Sequence, residues 1–357
     1  MDHVQAKGSW YDIGFAIGSQ QRSTVKLWVN LSMCYHAGSP VLKVLDKITR
    51  MAEQFMSSCF LPEWEELKGI ADGAKIELPL LVATNFTDAV AKISGVPTPT
   101  YIGDVKQDCS NILFPNSQWG PLVGGSLEDF PMNFLLTAHP DEGLGFCCTA
   151  WPSWAGASWG GMNSAHLALC GASAEELLPE NKRDDKRVKG LDVLNPQRVI
   201  LRSCRTVDEA LEVLSRPNIK MPGNVTVMDS TGRGVQIYGY KPGTDTIHVV
   251  EMGSEKGLGC GNVFPWEVTL ADAESFPKKR DKFCRYAAVQ KCVEENKGKY
   301  SVEAMKKLLT SHGDDPERFR SICSNVTNFS MIAAPTIGKL LIGHRFPCIN
   351  GYKEYSI

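Results

Sequence analysis

The residues best placed to do chemistry lie in Asp108-Cys109-Ser110-Asn111-Ile112-Leu113-Phe114, followed after a Pro/Asn/Ser/Gly turn by Leu122-Val123-Gly124-Gly125-Ser126-Leu127-Glu128-Asp129-Phe130. A cysteine opens one short β-like run, and a second such run ends in a carboxylate. A thiol in that position can attack the carbonyl of the residue before it, here Asp108. Water then resolves the thioester and leaves Cys109 with a free α-amino group. Such an amine titrates near ~7.7–8.0 and a thiol near ~8.5, so one can take the other's proton near neutral pH. This chemistry needs no histidine, and none of the seven histidines sits in a recognisable catalytic motif. The competing reading treats Cys109 as one of twelve cysteines, a small apolar residue buried at a strand start.

The elements that would position this stretch change character along the chain. Before it, Val41, Leu45, Ile48, Ala52 and Phe55 recur at helical spacing and predict a helix through Cys59. A second helix is expected over Pro62 to Ala74, with acidic residues at its first turn, and a third over Leu78 to Ala89. The loop Gly95-Val96-Pro97-Thr98-Pro99-Thr100 then breaks the pattern. Beyond Cys109 the period shortens to two. Strands are expected at Ser110–Phe114, Pro121–Gly125, Asn133–Ala138, Gly145–Ala150, Ala165–Leu169, Val225–Met228, Gly234–Tyr240 and Thr246–Val250. Helices return at Pro196–Arg202, Thr206–Leu214, Lys279–Glu295 and Ser301–Ser311, with Thr206 and Ser301 as caps. Final strands fall at Phe329–Ala334 and Gly338–Gly343. This order suits two sheets packed between helical layers.

Composition limits the functional classes. The 43% hydrophobic and 22% charged content is that of a globular protein, and 357 residues can form a single layered α/β-type domain. A net charge of -2 offers no electrostatic reason to expect nucleic acid. No apolar run is long enough for a signal peptide or a membrane span, so a soluble, cytoplasmic protein is expected. The cysteines are dispersed without a C-x-x-C, which speaks for reduced core thiols rather than a disulfide scaffold or structural zinc. Asn30, Asn85, Asn224, Asn325 and Asn328 begin N-x-Ser/Thr patterns, to which the missing export signal gives little weight. The charged run 181–189 reads as a solvated loop.

Other motifs compete with the cysteine. Gly156-Ala157-Ser158-Trp159-Gly160 matches the G-x-S-x-G nucleophile elbow of a serine hydrolase, with Asp192, Asp229, His248 and His312 downstream. An elbow must pass from strand directly into helix, and Gly160-Gly161 and Asn163-Ser164 favour a turn instead. Glycine-rich stretches lack the rest of a dinucleotide fingerprint, and neither a Walker sequence nor clustered metal ligands appear. No cofactor is expected. Trp119, Trp151, Trp154, Trp159 and Trp266 could line an apolar acyl pocket or simply pack the core.

Several short stretches, in order, resemble the acyl-coenzyme A:6-aminopenicillanic acid acyltransferase family of the N-terminal nucleophile superfamily. Lys7-Gly8-Ser9 through Asp12-Ile13-Gly14 to Gly18-Ser19 is similar to its N-terminal motif, and Glu65-Glu66-Leu67-Lys68-Gly69-Ile70-Ala71-Asp72-Gly73-Ala74 to its glycine-bearing helix. Cys109 falls at the nucleophile, Asp129-Phe130 at the close of the following run, Gly161-Met162-Asn163-Ser164-Ala165 at a characteristic turn, and Gly261-Asn262 at the oxyanion asparagine. The resemblance implies a four-layer αββα fold of class α+β, a single domain over 1–357 cut between Asp108 and Cys109. A helical fragment 1–108 would stay associated with a catalytic fragment 109–357. Cys109 would be nucleophile and, through its α-amine, base. Asn262 would direct its amide at the oxyanion, and Asp129 would orient the nucleophile's surroundings. The substrate would be a small acylated amine or an acyl-CoA thioester.

Three departures from that pattern stand out. Asp108 replaces the usual glycine, and its carboxylate can either assist the acyl shift or raise the thiol pKa. Leu127 replaces an asparagine. Ser324, after Ser321-Ile322-Cys323, stands where the family has an arginine. A chain that never cuts itself, and serves as a binding scaffold, is the non-enzymatic alternative.

Overall fold

The switch from helical to two-residue periodicity at Cys109 corresponds to a switch from helical layer to sheet. The computed structural model describes residues 2–34, 40–86, 90, 93–94, 109–129, 132–173, 196–216, 219, 223–239, 247–265, 280–313 and 321–357. In chain order the elements are β1 (His3–Gly8), α1 (Trp10–Gln20), α2 (Arg22–Cys34), α3 (Leu45–Cys59), α4 (Leu61–Ala74), α5 (Leu78–Asn85), β2 (Cys109–Phe114), β3 (Leu122–Glu128), β4 (Phe134–Pro140), β5 (Phe146–Ala150), β6 (Gly160–Asn163), β7 (Ala168–Ser173), α6 (Pro196–Ser203), α7 (Val207–Leu214), β8 (Gly223–Met228), β9 (Gly234–Tyr238), β10 (His248–Glu251), β11 (Leu258–Cys260), α8 (Arg280–Glu295), α9 (Val302–Leu309), β12 (Thr327–Ala334), β13 (Lys339–His344), α10 (Pro347–Asn350) and β14 (Lys353–Tyr355).

The strands form two sheets, one of eight strands in the order β1-β4-β5-β6-β7-β8-β9-β10 and one of six in the order β11-β2-β3-β12-β13-β14. All neighbours are antiparallel except β1 and β4. Because successive strand residues point to opposite faces, adjacent residues sort into different cores. Leu136 and Phe146 pack towards α1, α4 and α6, while their neighbours Leu135 and Cys147 face the second sheet. There they meet Val123, Leu127, Met331 and Leu340. On the far side of the second sheet, Ile112, Phe114 and Ile332 pack against Val289 of α8 and Met305 and Leu309 of α9. The layer order is helix, sheet, sheet, helix, the αββα arrangement expected.

The differences from expectation are local. Strands β1, β6, β11 and β14 and helices α1 and α2 lie outside the elements anticipated. The helix expected from Val41 starts at Leu45, after a 3₁₀ turn over Pro40–Lys43. Strand β7 begins at Ala168 rather than Ala165, because Asn163 Oδ1 accepts from the backbone N–H groups of Ala165 and Leu167 and shapes a turn with His166 at φ 62°. Helix α5 ends at Asn85, and residues 87–89 of the expected helix lie outside the described residues, as do the loops 95–100 and 181–189. The first hundred residues are not helical alone, since β1 pairs in parallel with β4 from His3↔Leu135 to Gly8↔Pro140.

Two motifs that carry the resemblance turn out to be one packing surface. A Cβ placed on Gly14 of α1 would lie 2.0 Å from the Glu66 carbonyl oxygen, and one on Gly69 of α4 would lie 2.1 Å from that of Tyr11. The two helices therefore touch backbone to backbone, which no side chain larger than hydrogen permits. Their contact anchors α4, whose Glu66 and Glu63 reach Arg198 at 2.8 Å and Arg202 at 2.7 Å on α6. Cys59, Cys109, Cys147, Cys148, Cys170, Cys204, Cys260, Cys284, Cys292, Cys323 and Cys348 are free thiols. Asn224 and Asn328, two of the N-x-Ser/Thr asparagines, are buried and unavailable for glycosylation in the folded chain. No described helix is long and apolar enough to cross a membrane.

Candidate active site

Strand β2 begins with Cys109, and its register sets what surrounds the thiol. Cys109 pairs with Leu127 of β3, and Cys260 at the end of β11 pairs with Asn111. The turn leaving β11 thus carries Asn262 back to the start of β2. Asn262 Oδ1 accepts from the Cys109 backbone N–H at 2.5 Å. Its Nδ2 donates to the Ser173 carbonyl oxygen at 2.6 Å and to Ser173 Oγ at 3.2 Å. A donor on one side and a carbonyl on the other fix the orientation of the amide. Asn224 on β8 braces the turn, its Nδ2 donating to the carbonyls of Gly261 at 2.7 Å and Val263 at 3.1 Å.

Asp129 follows directly on β3, two residues beyond the partner of Cys109. Its Oδ2 accepts from the Trp151 indole N–H at 2.8 Å, and its carbonyl from Asn328 Nδ2 at 2.5 Å. The geometry brings Cys109 and Asn262 into direct contact and places Asp129 beside them. Asp108 and Phe130 lie outside the described residues.

Two residues that sequence reasoning passed over complete the neighbourhood. Glu128 alternates to the face of β3 opposite Leu127, towards α8, and there forms a buried ion pair with Arg285. Arg285 also donates to the carbonyls of Ser321 and, at 3.2 Å, Ile322. Thr327 Oγ1 donates to Glu128 Oε1 at 3.0 Å. The signal for Arg285 was present: residues 285, 289, 292 and 293 form one helical stripe, and an arginine on the apolar face of α8 must have a buried partner. The segment that lacks an arginine at Ser324 supplies carbonyls to hold one instead.

The charges act on the sulfur in opposite directions. Burial pushes the Cys109 thiol far above its ordinary pKa, the Glu128 carboxylate raises it further, and Asp129 adds to this. Arg285 and a backbone hydrogen bond from Glu128 pull the other way. At neutral pH the thiol of the uncut chain is therefore protonated and needs a base.

The competing serine is differently placed. Ser158 is wholly buried, its Oγ donates weakly to the Gly160 carbonyl at 3.4 Å, and strand β6 rather than a helix follows it. Asp229 is engaged by Thr231 Oγ1 at 2.5 Å and by the Val207 backbone N–H at 3.1 Å, as a cap of α7. His312 Nδ1 donates to the Cys323 carbonyl at 2.9 Å. Asp192 lies outside the described residues, and so does Trp266. Among the tryptophans, Trp159 is buried in the inter-sheet core with Cys109, Trp151 packs against that core, and Trp119 lies against the outer core of the second sheet. Trp154 donates to the Thr84 carbonyl at 3.2 Å, in the helical layer. Two surface clefts, one along Trp10, Glu142 and Arg202 and one along His3, Lys7 and Tyr355, are not lined by Cys109.

Fold and site together define an αββα protein with a buried cysteine at the first position of an inner strand, held at its backbone N–H by an asparagine from the neighbouring turn. No family model and no curated protein matches the chain. Among solved structures, a penicillin V acylase from Agrobacterium tumefaciens is similar at 16% identity and TM-score 0.41, over 66% of this chain and 83% of that one. A Caenorhabditis elegans ortholog of N-acylethanolamine-hydrolyzing acid amidase is similar at 12% identity and TM-score 0.44, over 64% and 93%. A variant of the conjugated bile acid hydrolase from Clostridium perfringens is similar at 11% identity and TM-score 0.44, over 70% and 92%. Likeness at this level carries no weight for the chemistry, which has to be argued from the site.

Proposed function

We propose that the chain is a cysteine amidohydrolase of the N-terminal nucleophile kind, which cuts itself between Asp108 and Cys109 and then acts on a small acylated amine or acyl thioester through an acyl-enzyme. The observation that carries this reading is the contact between the Cys109 backbone N–H and Asn262 Oδ1 at 2.5 Å, at the first residue of β2. In an ordinary strand that N–H would belong to the ladder. Here a side chain holds the one nitrogen that self-cleavage would turn into an amine.

In the first step Cys109 Sγ attacks the Asp108 carbonyl carbon. The C–N bond breaks, the thiol proton passes to the departing Cys109 nitrogen, and a thioester forms. Water adds to the thioester and releases the Asp108 carboxylate, the Cys109 thiol and a free α-amine. That amine, still accepted by Asn262 Oδ1, then serves as base for the thiol. Its protonated form adds the positive charge that a thiol raised by burial and Glu128 requires.

In turnover Sγ attacks the substrate carbonyl, and the α-ammonium returns the proton to the leaving amine. Water resolves the acyl-enzyme, or an acceptor amine does so in acyl transfer. Asn262 Nδ2 would serve the oxyanion once shared with or released from Ser173. Fragment 1–108 would remain bound as a partner, because β1 is hydrogen-bonded into the eight-stranded sheet and α1 and α4 cover it.

Intact mass of the purified chain tests this directly. Two fragments ending at residue 108 and beginning at Cys109 are expected, with Cys109→Ala left as a single chain and without amidase activity. Ser158→Ala should cut and turn over normally. A single uncut chain that still hydrolyses amides would refute the mechanism, and one that neither cuts nor turns over would favour the scaffold.

A further inference from the structure

Beside the end of β3 and β12 that carries Glu128 and Thr327, three side chains from separate elements converge: His312 just after α9, Cys323 in the segment leading to β12, and Cys348 on α10. A ring nitrogen of His312 and the two sulfurs all lie within 4.8 Å of one another. The Cys323 and Cys348 sulfurs are 3.4 Å apart. The proposed chemistry at Cys109 makes no use of them.

Two distances decide what this cluster is shaped for. A disulfide needs its sulfurs at about 2.05 Å, well short of the separation here. Two thiolates on one tetrahedral zinc, each at about 2.3 Å, sit roughly 3.7–3.8 Å apart. The observed gap therefore needs only a few tenths of an ångström of opening to admit the cation. The imidazole is also prepared for it. His312 Nδ1 donates to the Cys323 carbonyl at 2.9 Å, which puts the ring proton on Nδ1 and leaves Nε2 its lone pair. An outer hydrogen bond to a backbone carbonyl is the support that zinc-binding histidines ordinarily have.

We propose that His312, Cys323 and Cys348 form a binding site for a borderline-soft divalent cation of the Zn²⁺ class, with three protein ligands and a fourth position open to solvent. Two sulfurs and one imidazole select against hard cations such as Mg²⁺ and Ca²⁺. Cys323 is fully buried, whereas His312 and Cys348 are partly exposed and provide the entry path. The site would tie together the end of α9, the segment 321–324 and α10. The same segment offers the Ser321 and Ile322 carbonyls to Arg285, so a bound cation would stiffen the support of the Arg285–Glu128 pair.

The test uses the full chain with Cys109→Ala, kept reduced, so that binding is read independently of any activity. Zn²⁺ binding is followed by competition with a chromophoric chelator, and Co²⁺ by its thiolate charge-transfer absorption. We expect one ion per chain and a thiolate–Co²⁺ band. His312→Gln and Cys348→Ser should lower the affinity by more than the roughly 10–100-fold that loss of an outer-shell partner costs. Both positions are partly exposed, so these variants keep the test open should Cys323→Ser fail to fold. Zn²⁺ should raise the melting temperature of the parent chain and leave that of Cys348→Ser unchanged. Absence of binding, undiminished binding by both variants, or, in a sample purified without reductant but with Zn²⁺ present, a Cys323–Cys348 disulfide as the only product found by mass would overturn the proposal.

Discussion

Glu128 and Arg285 meet as an ion pair with both side chains at 1% exposure, one at the end of the strand that pairs with Cys109 and the other on the helix that covers it. In so dry a setting each charge depends on the other. Removal of one partner strands a buried ion, while removal of both need cost little.

Arg285→Met should therefore destabilise the chain by about 3–5 kcal/mol, and the double change Glu128→Gln/Arg285→Met should recover much of that loss. Urea denaturation of the Cys109→Ala background gives the comparison without interference from self-cleavage. A loss in the double variant equal to the sum of the losses in Glu128→Gln and Arg285→Met alone would show that the pair does not act as a unit.

The same pair sets the thiol's acidity with opposite signs. Since Glu128 raises the Cys109 pKa and Arg285 lowers it, Glu128→Gln should move the pH at which Cys109 becomes alkylated downwards, and Arg285→Met upwards. The profile is read by peptide mass at Cys109 across a pH series. Shifts of the same sign for both variants would contradict the placement of the charges.

Asn262→Ala takes away the acceptor of the Cys109 N–H. A buried donor left without its partner costs about 1–3 kcal/mol. If Asn262 also serves the oxyanion, the rate of amide hydrolysis should fall by about 10²–10³. Single-turnover kinetics on the cut enzyme separate the two effects, because the stability loss alone leaves the chemical step intact.

Gly14→Ala pushes a methyl group against the Glu66 backbone, where the added carbon would lie 2.0 Å from the carbonyl oxygen. Overpacking of this kind costs about 1–3 kcal/mol or more. The α1–α4 contact carries the Glu66–Arg198 pair behind it, so a lowered thermal midpoint is expected with an unchanged pH profile for Cys109. A midpoint equal to that of the parent would show that the helices can move apart without loss.

His344 provides a pH signature away from the site. Burial against Phe329 first, and nearby positive charge including Arg345 second, lower its pKa from 6.5 to about 4. The folded chain holds the ring neutral while the unfolded chain protonates it below about pH 6.5. Stability from this group is thus fully present above that pH and lost as pH falls towards 4. His344→Gln should flatten the stability profile in this window, and an unaltered slope would place the acid sensitivity elsewhere.

Much of the frame was legible in one dimension. The short apolar runs expected as strands at Ser110–Phe114 and Pro121–Gly125, with the turn between them, were readable as a hairpin, which the structure extends back to Cys109 and on to Glu128. Thr206 and Ser301 were readable as caps, and both side chains accept from the third residue of their helices. Helix α1 was missed although Ser9 and Asp12 form a capping box, because Gly14 and Gly18 resemble interruptions until α4 is laid against them. Strand β1 has only Val4 and Ala6 as buried apolar residues, too few for a period to show, and β4 gives it a place.

Local order in the chain was enough to expect a strand starting beside Cys109 and an element order that suits two sheets between helical layers, since side-chain periodicity is a near-neighbour property. Which groups gather around the sulfur was decided only by the folded arrangement. Asn262 reaches Cys109 because β11 pairs with β2, and Arg285 reaches Glu128 because α8 lies across the second sheet. Contacts of that kind depend on how distant elements pack, and burial then turns them into the dominant electrostatic influences on the thiol.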